Sequence, residues 1–130
     1  MEMGVLTRYQ QHCETSENHS DELLKTHYYK ANSEQILNAL EEVFNNKQKF
    51  SITSISKEHG EMLVETRTSP LSYLVATFIT VRPFETAIDF NASTEKWSLI
   101  GVYPALRTYI VQAYEELNKK LTFIGAGKNS

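Results

Sequence analysis

The stretch Tyr73–Phe90, YLVATFITVRPFETAIDF, determines the fold class. Apolar side chains occupy both alternating sets of positions in Tyr73–Arg82, and a second extended run follows Pro83. This pattern predicts a β-hairpin whose first strand is apolar on both faces. A strand of that kind needs cover on both sides of its sheet. The question for the whole chain is therefore which segments supply that cover.

The turn of this hairpin fixes which side chains share a face. Proline suits the second position of a type I turn because its φ angle is preset, so we predict a four-residue loop over residues 83–86 (PFET). This loop pairs Val81 with Ile88 and Ile79 with Phe90, and period-2 geometry then assigns every other residue. The side chains predicted to face the helices are Tyr73, Val75, Ile79 and Val81, and those predicted to face the other way are Leu74, Ala76 and Phe78.

Two helical patterns flank the strands. The first follows Asn32, with Gln35 three residues later in a capping-box arrangement, and its apolar residues recur at helical spacing. The second opens at Pro104, where the missing proline N–H costs nothing in a first helical turn. Both patterns predict amphipathic helices that cover one face of a sheet.

Three further extended runs complete the predicted sheet. Residues 26–31 (THYYKA) favour a short first strand, and Phe50–Lys57 and Glu61–Arg67 favour a strand pair with Gly60 in the left-handed position of its turn. The order (β)αββββα predicts an α+β fold. We expect a two-layer sandwich in which an antiparallel sheet of four to five strands carries two helices on one face.

Composition limits the domain organisation and the location. We expect a mobile arm over residues 1–24, a single α+β domain over residues 25–124 and a flexible tail over residues 125–130, because both ends are polar or glycine-rich. Cys13 is the single cysteine, which excludes an internal disulfide and favours a cytoplasmic location. The sequence shows no signal peptide and no apolar run long enough to span a membrane. Its net charge of −3, without a basic stripe, argues against nucleic acid as a partner.

No motif predicts catalysis, a cofactor or a metal site. The tail FIGAGKNS departs from a phosphate loop, because Asn129 stands where serine or threonine is needed and no glycine lies five positions before Gly127. His12, Cys13, His19 and His27 match no zinc-ligand spacing. We therefore expect no catalytic residues, no cofactor and no metal, and a protein that is more plausibly not an enzyme.

The second face of the sheet gives the leading functional hypothesis. Two helices cannot cover both faces, so the apolar side chains assigned to the second face should form an exposed patch, and such patches mark interaction surfaces. The predicted interface residues are Ile55, Leu63, Leu74, Ala76 and Phe78. A second copy of the chain, the N-terminal arm or another ligand could cover them, and a homodimer is the commonest arrangement among soluble proteins. The first hypothesis is a non-enzymatic binding protein that dimerises through this face.

The aromatic residues of the second half give the alternative. Tyrosine hydroxyls need partners when buried, so several aromatic residues together often line a pocket. The alternative hypothesis is a small-molecule binding domain with a pocket between the sheet and the second helix, lined by Phe90, Trp97, Tyr109 and Tyr114. An enzyme of unknown type is the third hypothesis, because no pair of converging polar groups stands out.

Several segments together resemble a known group of proteins. These are the helix SEQILNALEEVF, the hairpin YLVATFITVRPF-ETAIDF and the C-terminal YEELNKKLTFIGAG. Over residues 26–127 the chain resembles small, uncharacterised cytosolic proteins of Gram-positive bacteria. The resemblance implies a stand-alone cytoplasmic domain and carries no activity to transfer.

Overall fold

The computed structural model describes residues 7–127. It contains two α-helices, two short 3₁₀ turns at Thr7–Tyr9 and Glu22–Leu24, and a set of β-strands. The strands are β1 His12–Glu14, β2 His27–Tyr29, β3 Phe50–Ser56, β4 Glu61–Thr66, β5 Tyr73–Arg82, β6 Glu85–Ser93 and β7 Phe123–Ala126. The helices are α1 Ser33–Val43 and α2 Tyr103–Lys120.

The seven strands within residues 7–127 form one open antiparallel sheet in the order β3-β4-β5-β6-β2-β7. Strand β6 has the long β5 on one side, and β1 and β2 share its other side end to end. The predicted α+β class and antiparallel sheet are confirmed. The prediction of four to five strands was too small, because β1 and β7 also join the sheet.

The two additional strands lie in segments that the sequence assigned to an arm and a tail. Within residues 12–24, Cys13 opposes Ala92 in the sheet, and Leu24 is fully buried. Gly125 and Ala126 belong to β7, which pairs with β2. Residues 1–6 and 128–130 of the predicted arm and tail lie outside the described residues. Strands of three or four residues bury too few side chains to show a period-2 pattern.

Both helices pack against one face of the sheet. The predicted capping box is confirmed, because Asn32 and Gln35 exchange side-chain to backbone hydrogen bonds of 2.9 Å. Helix α2 begins at Tyr103 with Pro104 in its first turn. The core is built from apolar side chains of both helices and of alternate strand positions, including Ile36, Leu40, Leu106, Ile110, Leu117, Met62, Val64, Leu74, Phe78, Ile88 and Phe90. Within residues 7–127 neither helix is long and apolar enough to cross a bilayer.

The predicted register of the β5–β6 hairpin was wrong. Its turn consists of Pro83 and Phe84 only, and Phe78 opposes Ile88 where the four-residue loop would have placed Ile79 opposite Phe90. The two-residue turn by itself shifts the pairing by an even number of residues, but a register shift between Thr80 and Arg82 adds one more residue to β5. The total difference is therefore odd, and the side chains from Tyr73 to Thr80 change face. Phe84, with φ of 58°, closes the short turn in a conformation that bulky side chains rarely adopt.

The position predicted for Ile55 was also wrong. The register of β3 against β4 shifts between Ile52 and Ser54, which places an extra residue, Thr53, in β3. Ile55 therefore opposes Met62, on the helix side of the sheet, and does not oppose Leu63. Gly60 has the predicted left-handed conformation, with φ of 65°.

Candidate functional site

Within residues 7–127, one face of the sheet carries no helix, and its central strands present apolar side chains. We call this surface the open face and define it by Leu63, Tyr73, Val75, Ile79 and Val81. Val75 opposes Leu63 on one side and Asn91 on the other, and Tyr73 and Ile79 share its face by the period-2 geometry of β5; Val81 follows at the register shift between Thr80 and Arg82. Ile79 is 61% exposed and Val81 46% exposed, which is unusual for branched apolar residues in the long central strand of a sheet.

The turn of the β5–β6 hairpin extends the open face at one end. Phe84 is 62% exposed, and its left-handed backbone holds the ring at the tip of the hairpin. A bulky residue in that conformation is strained, and strained residues concentrate where a side chain must be presented in a fixed position. The Arg82 and Glu85 side chains on either side of the turn form an ion pair of 3.6 Å. The hairpin tip therefore continues the apolar surface beyond Ile79 and Val81.

Charged and polar groups border the open face on both sides. Along β4, Glu61 and Glu65 lie on either side of Leu63 and share its face. On the β6 side Asp89 accepts hydrogen bonds from the hydroxyls of Thr15 and Thr26, at 2.7 and 2.5 Å. An apolar centre with a polar border is the usual arrangement of a protein interface.

Of the five predicted interface residues, only Leu63 lies on the open face. Leu74 and Ala76 are each 1% exposed and Phe78 is 4% exposed, and all three lie in the core beneath the helices. Ile55 is on the helix side, close to the turn that joins β3 to β4, and remains 40% exposed. The β5 side chains on the open face are thus the alternate set, Tyr73, Val75 and Ile79, and not the set that the sequence predicted.

The four residues predicted to line a pocket are not brought together. Phe90 and Tyr114 are buried in edge-to-face contact, with ring centroids 5.0 Å apart, and leave no space between them. Trp97 is exposed on the loop after β6, where it stacks on Tyr9. Tyr109 alone lines a cleft, and its hydroxyl lies 2.9 Å from the Thr68 hydroxyl oxygen.

That cleft lies between the end of α1, the start of β3 and helix α2. We call it the helix cleft. It has a volume of about 560 Å³, which is within the range of small-molecule sites. Its apolar lining residues are Val43, Phe44, Phe50, Tyr109 and Ala113. Lys49 and Glu115 are among the charged residues at its wall, so the cleft offers apolar contact with ionic groups around it.

A buried histidine lies where β2, β7 and α2 meet. The His27 ring stacks on Tyr114 with a centroid distance of 3.6 Å, and its Nδ1 lies 3.0 Å from the Tyr29 hydroxyl oxygen. The Tyr29 hydroxyl donates its single proton to Asn118 Oδ1 at 2.6 Å. Its oxygen must therefore accept the hydrogen bond from His27, which places a proton on His27 Nδ1. Burial lowers the pKa of His27 to about 4, and a hydrogen bond with Asn118 opposes part of that change. His27 is therefore a neutral part of the core at pH 7.

A second polar group lies at the β2 end of the open face. The Tyr28 hydroxyl donates to Glu17 Oε1, and burial together with this carboxylate raises the pKa of Tyr28 to about 12. Glu17 Oε2 is buried and has no hydrogen-bond partner among residues 7–127. A buried carboxylate oxygen without a partner is costly, so this end of the face favours a water molecule or a donor from a binding partner.

The single cysteine is a core residue. Cys13 is 2% exposed, and burial raises the pKa of its thiol, which the Tyr103 hydroxyl and the Arg107 charge offset only in part. Arg107 pairs with Asp21 at 2.7 Å and holds the pKa of that carboxyl below its usual range. A buried thiol with a raised pKa is a poor nucleophile. Within residues 7–127 no three histidine, cysteine or acidic side chains converge as a metal site requires.

No protein-family model matches the chain, and no curated protein is significantly similar to it. The functional conclusion therefore depends on the geometry of the surfaces described above. The sequence pattern missed Tyr73, Val75, Ile79, Val81 and Phe84 as surface residues. Because β5 is apolar on both sides, only its register could separate them from the core, and that register depends on the shift between Thr80 and Arg82, which no sequence pattern marks.

Proposed function

We propose that the chain is a non-enzymatic binding protein that forms a symmetric dimer through its open face. The observation that carries this proposal is the exposure of Ile79 and Val81 in a long strand whose other face is buried at Leu74, Ala76 and Phe78. Exposed apolar surface of this kind is costly in a monomer and becomes favourable once a second apolar surface covers it. A two-fold axis through the face would place the same residues of both copies against one another.

The dimensions of the open face are compatible with such an interface. At about 3.4 Å per residue and about 4.8 Å per strand, the ten residues of β5 and the neighbouring strands span roughly 30 Å by 20 Å. This gives about 600 Å² per copy, at the lower end of the roughly 600–1,000 Å² that each partner buries in a standard interface. The exposed Phe84 ring would add to this area.

We further infer a cytoplasmic location. The lone, buried Cys13 fits a reducing compartment, and the resemblance to small cytosolic proteins of Gram-positive bacteria supports the same conclusion. The net charge of −3 supports a protein partner rather than nucleic acid.

Sedimentation velocity tests the dimer. We expect the unmodified chain to sediment as a dimer at micromolar concentration and the Val81→Glu variant to sediment as a folded monomer, because two like charges would be buried at the interface. Leu99→Glu is the matched control: Leu99 is 80% exposed on the loop before α2 and is not one of the residues that define the open face, so this variant should remain a dimer. A monomeric unmodified chain, or a dimer that Leu99→Glu dissociates and Val81→Glu does not, would disprove the proposal.

The helix cleft supports a second candidate, the binding of a small apolar molecule. Its volume of about 560 Å³ and its aromatic lining carry this candidate. Ala113 lies in the wall of the cleft, so Ala113→Met should fill part of it and abolish the increase in melting temperature that a bound ligand produces. Ala105→Met, at a partly exposed position in the first turn of α2, is the control. If a panel of apolar ligands shifts neither protein, or shifts both equally, the cleft is not a ligand site.

A further inference from the structure

The free edge of the sheet at β3 carries one of the usual protections against strand pairing, a register shift, and lacks the others. Strand β3 is the outermost strand on its side and consists of seven residues, FSITSIS, with neither charge nor proline. Natural edge strands commonly carry lysine, proline or a bulge that blocks further pairing. Strand β3 has its register shift at Thr53, which leaves the stretch from Phe50 to Ile52 regular.

The backbone of this stretch offers hydrogen-bonding groups to solvent. The N–H of Arg67 donates to the carbonyl oxygen of Lys49 at 2.7 Å, so Lys49 directs its backbone polar groups toward β4. Alternate residues of an antiparallel strand direct these groups to opposite sides. Ile52, three residues after Lys49, therefore directs its N–H and C=O away from the sheet, where a further strand could pair with them.

A cleft runs along the same edge. It has a volume of about 650 Å³ and is distinct from the helix cleft, although Phe44 and Phe50 contribute to both. We call it the edge cleft. Ser51 and Ile52 point to opposite faces of β3 and both line it, which places the cleft beside the strand rather than above or below it. Its other wall is the C-terminal part of α1, so an added strand would lie between β3 and that helix.

The charges of the edge cleft indicate what kind of strand fits there. Lys47 and Arg67 line it, and neither has an ion pair among the described residues. Of the two acidic residues on the α1 wall, Glu42 is paired with Lys120 at 3.2 Å, which leaves Glu41 as the acidic group without an ion pair there. In a chain of net charge −3, this is a local excess of unpaired positive charge. Phe44, Phe50 and Ile52 supply the apolar part of the surface.

We propose that β3 and the edge cleft bind an extended peptide segment of a partner protein. The peptide adds as a further strand to β3, with its backbone paired to Ile52. An apolar side chain of the peptide contacts Phe44, Phe50 and Ile52, and an acidic side chain pairs with Lys47 and Arg67. Strand addition supplies affinity through the backbone, and the cleft supplies specificity through alternate side chains. This site is separate from the open face and does not depend on dimer formation.

Selection from a phage-displayed library of short random peptides against the full chain tests the proposal. We expect enriched peptides in which apolar residues alternate and at least one aspartate or glutamate recurs. Binding of the enriched peptides should weaken by about tenfold or more in the Lys47→Glu/Arg67→Glu variant, because an attractive charge pair becomes repulsive. The matched control is Lys30→Glu. Lys30 is an exposed lysine just after β2, near the opposite edge of the sheet from β3, so this variant should bind the peptides normally.

Amide hydrogen exchange gives an independent readout of strand addition. The Ile52 N–H should exchange rapidly in the free chain and at least about tenfold more slowly with peptide bound, because it then donates to the peptide backbone. The proposal is overturned if no peptide is enriched over supports without protein, or if charge reversal leaves binding unchanged. A measurement without peptide gives a second way to overturn it. If exchange of the Ile52 amide slows as the protein concentration rises, β3 pairs with the β3 strand of a second copy instead of with a partner peptide.

Discussion

Lowering the pH should destabilise the fold through His27. This side chain is 8% exposed, and burial holds its pKa at about 4, whereas an unfolded chain has the ordinary value of 6.5. Between about pH 4 and about pH 6.5, His27 is therefore mostly protonated in the unfolded chain and mostly neutral in the folded chain. The stabilisation is therefore fully present above about pH 6.5 and is lost as the pH falls toward about 4.

The size of the effect follows from the two pKa values. At about 1.4 kcal/mol for each tenfold difference in proton affinity, the full loss is about 3 kcal/mol, and about 2.5 kcal/mol of it should have occurred at about pH 4.5. That is a large part of the roughly 5–15 kcal/mol by which a typical domain is stable.

Urea unfolding at about pH 7 and about pH 4.5 measures this loss. The matched variant is His27→Phe, which keeps a ring against Tyr114 and cannot be protonated. The unmodified chain should lose about 2.5 kcal/mol more than this variant between the two pH values. Equal losses in the two proteins, or a His27 pKa near 6.5 by NMR titration of the folded chain, would refute the reasoning.

Two further predictions test the packing. In the monomer, at protein concentrations below those of dimer formation, Phe78→Ala should lower the free energy of unfolding by about 3–5 kcal/mol because the ring is buried, whereas Ile79→Ala, at the adjacent exposed position, should change it by less than about 1 kcal/mol. Urea unfolding that gives the reverse order would support the register first predicted from the sequence. Gly60→Ala should cost about 2 kcal/mol or more, because φ is 65° and the new Cβ would lie 2.2 Å from the Phe78 carbonyl oxygen. Thermal unfolding beside the exposed control Glu58→Ala checks this, and equal melting temperatures would contradict it.

The parts of the fold that the sequence predicted correctly have strong local signals. Asn32 and Gln35 form the predicted capping box, and Gly60 has the predicted left-handed turn conformation. Each of these signals is contained within a few residues and depends little on the rest of the chain. Local chemistry of this kind identified α1 and the β3–β4 pair without knowledge of the tertiary structure.

The parts that it missed depend on tertiary contacts. Strand β1 buries Cys13 alone and exists because β6 offers it an edge, which no pattern within His12–Glu14 shows. The register of β5 depended on a two-residue turn that Phe84 closes in a conformation usually left to glycine or asparagine, and on the register shift between Thr80 and Arg82. Because both sides of β5 are apolar, hydrophobicity could not correct that register. The sequence therefore predicted an uncovered apolar face and assigned the wrong side chains to it.

The central claim is that the open face of one copy lies against the open face of another. An isotope-filtered NOE experiment on a mixture of labelled and unlabelled chains detects such contacts directly. We predict intermolecular NOEs from the methyl groups of Val75, Ile79 and Val81. Intermolecular NOEs confined to Leu99 and Ile100, or a concentrated sample with no intermolecular NOEs, would contradict the claim.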